Sequence, residues 1–333
     1  MYFIMKAIDL LKNGGQLIVI FPSSWMNARS GVEFQKTMLS KCGMEKQIHI
    51  HGDVFEREAL VDVVILKLIK GKTDIDTIEE YLESKNGELQ SVSLRENKAF
   101  EEFSYPFSKL ATIKRGLTTG CNEMYINPDL LCEGGGCFKP IISSPKSIDG
   151  YTTVNARLDR LFCPVEDAVS DEISSYLDYW KNKIIQEQKP KTLYMKVNSS
   201  DKWYEIREIC GEGILFSYFV RNDMKFVMNE TGVLVRDNFY VIKPKVDKWV
   251  LFALLNNYYT YYQLELSGKK YGAGLLKLQR YDIEGLYFPD YEMISDSDKK
   301  EMAILSHKLL DSADVSVIGE ITKLISKYSR INY

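Results

Sequence analysis

The sequence predicts an α/β protein: an incomplete open sheet, then a mixed α/β domain, then a C-terminal helical segment. Three observations predict it. Residues 1–70 read helix, strand, helix, strand, strand, too few strands for a parallel sheet with helices on both faces. A polar, charged stretch at 71–105 follows. Beyond it, short β-like runs alternate with turns until two amphipathic patterns close the sequence.

The elements follow in order. Phe3, Ile4, Ala7, Ile8, Leu10 and Leu11 stand at helical spacing, and Gly14-Gly15 supply a stop. The apolar run 16–21, ended by Pro22, predicts a buried parallel strand. Residues 30–41 predict a helix with Phe34, Met38 and Leu39 inward and Gly43 at its C-terminal end. Strands are predicted at 47–51 and 61–68, then a helix over 75–84 within the connector. Further strands are predicted at 124–126, 192–196, 213–220, 226–228 and 239–242. Helices are predicted over 167–187 and 246–262, and two more within 296–328, parted near 312–314. The predicted division is therefore 1–70, 71–105 as connector, 106–290, and 291–333.

Composition excludes several classes. With 45% hydrophobic and 27% charged residues, the 333-residue chain has an ordinary soluble profile. No apolar run approaches ~20 residues, so no membrane-spanning helix is expected. The opening Met1-Tyr2-Phe3-Ile4-Met5-Lys6 lacks the basic region of a signal peptide, and a cytoplasmic protein is expected. The six cysteines (Cys42, Cys121, Cys132, Cys137, Cys163, Cys210) match no zinc ligand set and are expected to be free thiols. His49 and His51 share a strand face but have no third ligand in sight, so no metal is expected. The net charge of −3 argues mildly against a protein that coats DNA. It is unevenly spread: about −5 over 101–180 and about +4 over 181–290. The basic, aromatic-rich part is either a DNA face or an ordinary solvated surface.

Particular stretches then point to a family. They are Ile8-Asp9-Leu10-Leu11-Lys12-Asn13-Gly14-Gly15 through Phe21-Pro22-Ser23-Ser24-Trp25, His51-Gly52-Asp53-Val54-Phe55, and Val61-Asp62-Val63-Val64-Ile65. Together they resemble the second half of the catalytic domain of adenine-N6 DNA methyltransferases of restriction–modification systems, TaqI type. Ile113 through Glu123, Phe138 through Ser144, Asp237 through Ile242, Leu254-Leu255-Asn256-Asn257 and Gly268 through Lys277 resemble that family's target-recognition domain. The resemblance covers nearly the whole chain. It implies a class I (Rossmann-like) methyltransferase sheet over 1–70, duplex DNA as partner, and S-adenosylmethionine as cofactor of the complete enzyme.

The departures matter as much. The family binds S-adenosylmethionine through a Gly-containing loop after its first strand. It acts on adenine through Asn-Pro-Pro-Tyr or Asn-Pro-Pro-Phe. Neither is present, and Asn127-Pro128 is followed by Asp129. No catalytic residue is therefore expected in this chain, which is expected to be inactive alone. A missing N-terminal half or a separate catalytic subunit would complete it. The alternative is a non-catalytic specificity subunit or remnant.

The resemblance implies one pocket residue. An aromatic at the position of Phe55 packs on the flipped adenine in the family, and base–aromatic stacking is worth roughly 1–3 kcal/mol. From its own surroundings, after the turn-like Gly52-Asp53, Phe55 reads as either exposed or core. The run from Gly116 to Asn122 offers Thr118, Thr119 and Asn122 in a tight loop beside Lys114 and Arg115, either a phosphate contact or a plain turn. Lys269, Lys270 and Lys277 stand among three glycines; their spacing excludes a P-loop and leaves DNA contact or a structural turn. Arg221, Lys225 and Arg236 flank turns from which base edges are within reach. The tyrosines of 258–262, Trp180 and Trp203 read as core.

Overall fold

The computed structural model describes residues 2–22, 29–52, 63–85, 88–91, 103–130, 137–164, 170–206, 211–221, 223–271 and 275–329. It is mixed α/β with several small sheets. The chain forms two compact units: Met1–Glu101 with Phe219–Met224 and Tyr262–Asp282, and Glu102–Tyr218 with Lys225–Tyr261 and Ile283–Tyr333.

In the first unit, α1 (Tyr2–Leu10), β1 (Gln16–Pro22), α2 (Arg29–Leu39), β2 (Cys42–Gly52), β3 (Val63–Lys70), β4 (Ile78–Lys85) and β5 (Glu88–Ser91) follow in order. The sheet order is β1-β3-β2-β4-β5. β3 runs antiparallel to both β1 and β2, so β1 and β2 are parallel, joined by α2 as a crossover, with β3 inserted between them. Ile4 and Ile8 of α1 and Phe34 and Met38 of α2 pack with Val64, Leu66 and Leu68 on one face, joined by Leu17, Val19 and Phe21 of β1.

Two expectations are corrected here. The 16–21 segment is not buried on both faces: Ile18 and Ile20 are 65% and 52% exposed, and its bonded neighbour is antiparallel. The 75–84 segment is strand β4, not helix. Its glutamates favour a helix locally, but the edge of β2 offers parallel pairing from Lys46↔Ile78 to Gly52↔Ser84. His49 stacks on Tyr81 at 4.6 Å, and Lys46 pairs with Glu80 at 2.7 Å, which fixes the register.

The second part begins with β6 (Tyr105–Pro106), α3 (Phe107–Leu110), β7 (Ala111–Arg115), α4 (Asn122–Tyr125), β8 (Phe138–Ile142) and β9 (Asp159–Phe162). It continues with α5 (Asp171–Glu187), α6 (Lys191–Val197), β10 (Gly213–Ser217), β11 (Phe219–Val220), β12 (Phe226–Asn229), β13 (Leu234–Val235) and β14 (Phe239–Pro244). Next come α7 (Lys248–Leu255), α8 (Tyr258–Ser267), β15 (Lys269–Tyr271), β16 (Leu275–Lys277), α9 (Arg280–Glu284), β17 (Tyr287–Phe288), α10 (Asp296–Ser312) and α11 (Ser316–Ser326). The main sheet of the second unit is antiparallel, β12-β10-β14-β7, and a smaller one is β13-β8-β9. One of its cores gathers Ile173, Leu177, Trp180 and Ile184 of α5 against β8, β9 and α6, with Trp203 as expected.

Local pattern misled at three further places. Residues 124–126 and 192–196 lie largely in α4 and α6. Leu193 and Val197 sit four apart against the core, and Pro190 at the N-cap starts α6 with extended backbone. The predicted helix 246–262 is two helices, because Asn256 and Asn257 turn inward at the break. Asn256 Oδ1 accepts from Phe226 N at 2.9 Å and from the Tyr261 hydroxyl at 2.7 Å. Its Nδ2 donates to Phe226 O and Phe252 O, and Asn257 Oδ1 accepts from Thr260 N at 3.0 Å in the first turn of α8. Cys42, Cys121 and Cys163 form no disulfide, but Cys137 is disulfide-bonded; spacing along the chain does not say which sulfurs a fold brings together.

Candidate nucleic-acid interface

Among the expected contact residues, Arg115 and Arg236 come together in the second unit. β7 ends at Arg115, whose backbone pairs with Tyr240 of β14. Between β13 and β14 the chain turns through Arg236-Asp237-Asn238, closed by Phe239 N donating to Arg236 O at 3.0 Å. Gly116 lies directly on this turn. A Cβ there would stand 2.2 Å from Arg236 O, so only glycine permits the approach. Gly116 N donates to Phe239 O and Leu117 N to Val235 O, each at 2.8 Å.

The side chains follow from that junction. Arg115 Nε donates to Asp237 O at 2.8 Å, and its Nη2 lies 3.4 Å from the Asp237 carboxylate. The guanidinium also lies over the Tyr218 ring, 5.6 Å from its centroid. It remains 55% exposed. The other carboxylate oxygen of Asp237 faces Arg236 Nη2 at 3.7 Å. Asn238 Nδ2 donates to Ser143 O at 2.8 Å, and Arg236 N donates to Ile142 O at 3.0 Å, tying the turn to the end of β8. Arg236 Nε, Asn238 Oδ1 and Ser143 Oγ are buried with no hydrogen-bond partner. Asp237, Asn238 and Tyr218 were not singled out as contact residues by sequence reasoning. The only local signal was the Asp-Asn dipeptide ahead of a β-like run.

The other expected residues divide. Lys114 is exposed on β7. Thr118 is exposed, but Thr119 is buried and donates to Asn122 Oδ1 at 2.8 Å, which makes that pair a loop brace. Lys225 Nζ donates to Ile148 O at 3.2 Å. In the first unit, β16 pairs with β11 and β15, setting Lys277 opposite both Phe219 and Lys269. Lys277 Nζ lies 5.5 Å from the centroid of Phe219, which is 42% exposed, and Arg221 is exposed just beyond. Gly268 is structural, since a Cβ would meet Leu276 at 2.6 Å. Phe55, and the side chain of Lys270, lie outside the described residues.

Asn127 is no catalytic asparagine. Its Nδ2 donates to Asp159 at 2.7 Å and its Oδ1 accepts from Arg160 N at 2.7 Å, so the amide is committed to β9. Gly14-Gly15 forms no cofactor cradle either. Gly14 N donates to Lys70 O and Lys70 N to Gly15 O, so the pair is committed to the start of β1. Among the described residues no group of three His, Cys, Asp or Glu side chains could hold a metal ion, and no helix is long and apolar enough to cross a membrane.

This fold is found in restriction–modification enzymes: the structure of the Type IIL enzyme MmeI in complex with DNA superposes with a TM-score of 0.63 at 11% identity, over 94% of this chain and 46% of that one. At that identity the likeness concerns the fold alone. The family model described as Type II methyltransferase M.Eco57I, C-terminal domain, matches residues 146–324, and that described as Eco57I restriction-modification methylase matches residues 1–55. The chain belongs to this family of Type II restriction–modification methyltransferases. It is 22% identical to the Type II methyltransferase M.AccI of Acinetobacter calcoaceticus, over 98% of this chain and 70% of that one. It is 34% identical to M.PstI of Providencia stuartii over 83 residues, 24% of this chain and 16% of that one.

Proposed function

We propose that this chain is the target-recognition part of a site-specific DNA adenine-N6 methyltransferase. It grips duplex DNA and contributes Phe55 as one wall of the pocket for a flipped adenine. The observation that carries this reading is the oriented Arg115 guanidinium beside Asp237 and Arg236, within a chain of the restriction–modification methyltransferase family. Lys114, Lys269, Lys277 and Arg221 supply sequence-independent phosphate attraction. The adenine amine is a poor nucleophile whose lone pair is delocalised into the ring, and it is unreachable inside the stack, so the base must leave the helix first.

S-adenosylmethionine supplies the methyl group, and the glycines described above do not fit a cradle for it. It is held by residues outside this chain, in an N-terminal half or a separate subunit. Tyr2, Phe3 and Leu10 of α1 are 85%, 79% and 76% exposed, and Ile18 and Ile20 of β1 stand bare on the sheet. The two sets lie on opposite sides of the sheet, since α1 packs on the Leu17, Val19 and Phe21 face of β1, and exposed apolar residues on both sides suit contact with further protein.

The test has two arms. The 333-residue chain is titrated against a labelled duplex at several salt concentrations; salt-dependent binding is expected, and none at low salt would overturn the reading. The same chain is incubated with labelled S-adenosylmethionine and DNA; no transfer is expected, and clear turnover would show that it needs no other half. In a completed enzyme, Phe55→Ala is expected to weaken capture of the target base while leaving duplex binding mostly intact. Unchanged turnover would place Phe55 in the core.

A further inference from the structure

We propose that Arg115 reads the edge of a guanine in the recognised duplex, and that Asp237 is the residue that positions it and meets the paired cytosine. This rests on the DNA-recognition reading above and adds the base pair to it.

A surface arginine near DNA has two ordinary fates, a phosphate contact or a base contact. The geometry separates them. A phosphate contact needs a positive field and tolerates a mobile side chain. Arg115 stands in a positive cluster with Lys114 and Arg236, so the field does not separate the two fates, but its side chain is not mobile. Nε is held by Asp237 O at 2.8 Å, Nη2 is turned to the Asp237 carboxylate at 3.4 Å, and the Tyr218 ring supports the flat face. Its main chain is fixed as well, because Gly116 presses against the turn that carries Asp237. An immobilised fork has lost its rotamer entropy before binding, which is the condition for two-point recognition.

The carboxylate decides the ligand. Asp237 stands beside the fork with its side chain 24% exposed, so a phosphate brought to this edge would meet a carboxylate as well as the Arg115 and Arg236 guanidiniums that flank it. A G·C pair suits both signs. In the major groove guanine presents two acceptors, O6 and N7, to an arginine, and cytosine presents an amine donor suited to a carboxylate. The donor fork and acceptor stand side by side on the protein as they do, with opposite sense, on that pair.

A separate observation marks the same turn. Arg236 Nε, Asn238 Oδ1 and Ser143 Oγ are buried without partners, and all three lie on the 236–238 turn or the strand end it bonds. Most buried polar side chains find partners within a protein. These atoms are sealed from solvent, so they mark a turn whose internal bonding is incomplete as it stands rather than a surface that a base touches directly.

The experiment is selection from a random-sequence duplex library by the full chain, followed by sequencing of the bound fraction, for wild type, Arg115→Lys, Asp237→Asn and Lys114→Ala. Melting curves confirm that each variant is folded, and Arg115→Lys keeps the charge and most of the stem. Wild type is expected to prefer guanine at one position by roughly 5- to 150-fold. Arg115→Lys and Asp237→Asn are expected to reduce that preference to within about threefold while other positions keep theirs. Lys114→Ala is expected to weaken all sequences alike. If Arg115→Lys and Asp237→Asn bind more weakly with the motif unchanged, Arg115 is a phosphate contact and the inference fails while DNA recognition stands. If wild type selects no motif, the recognition reading itself fails.

Discussion

Replacing Gly116 by alanine tests the close approach of β7 to the 236–238 turn. The added Cβ would stand 2.2 Å from Arg236 O and 2.7 Å from Val235 O, both main-chain atoms. A Cβ is essentially never closer than 3.0 Å to such an atom, so the strand and the turn must part by about 0.8 Å. That stretches the bonds from Gly116 N to Phe239 O and from Leu117 N to Val235 O, now 2.8 Å each. Losing two such bonds costs about 1 kcal/mol each. Forcing a methyl into a packed contact adds roughly 1–3 kcal/mol. The expected loss is thus about 3–5 kcal/mol, or roughly 6–20 °C in Tm for a unit of this size. Scanning calorimetry or circular dichroism melting reads it directly. The displaced strand also carries Arg115, so base preference should fall even well below the new midpoint. A Tm within 2 °C of wild type, with base preference intact, would refute the close approach and the positioning argument built on it.

Three further outcomes are expected. Asn256→Ala removes the acceptor of Phe226 N and the Tyr261 hydroxyl in a fully buried place, so denaturant unfolding should show a loss of about 3–5 kcal/mol; a change under 1 kcal/mol would mean the break between α7 and α8 is set otherwise. Ala313 closes α10 with φ 51°, where an L residue is strained, so Ala313→Gly should raise stability by up to about 1 kcal/mol in thermal melts, and a lowered Tm would contradict it. The hydrogen bond from Tyr328, then that from Lys327, hold the Asp298 carboxyl below its usual 3.8. A depressed folded value means the stabilisation is present above about pH 4 and is lost as pH falls through the folded pKa. The stability gap between wild type and Asp298→Asn should therefore be present at pH 7 and close as the pH falls below 3.8; a gap independent of pH would rule the linkage out.

How much was legible in the sequence differs by region. In the first unit the helix–strand alternation was read from apolar spacing alone, because Ile4, Ile8, Phe34 and Met38 recur with the period of the face they bury. The two C-terminal helices were legible for the same reason, down to the break beside Ala313. The connector was not. Glu79, Glu80 and Glu83 favour a helix in isolation, and only the available edge of β2 made β4 a strand. The candidate site was half legible. Arg115, Arg236 and the glycine between strand and loop are legible as residue types, while the hydrogen bonds that Thr119, Asn122 and Lys225 make within the fold are not.

Sequence alone determined the helix, strand, helix, strand, strand order of residues 1–70, the family resemblance and the absence of Asn-Pro-Pro-Tyr from these 333 residues. Those are properties of a linear string: periodicity, punctuation and motif spacing. The tertiary structure decided the pairings. Arg115 and Asp237 are 122 positions apart, and nothing local to either announces the other. Periodicity reports which face of a segment is buried but not what it is buried against. The oriented guanidinium exists only because β7 docks on β14 and Gly116 lets it come close.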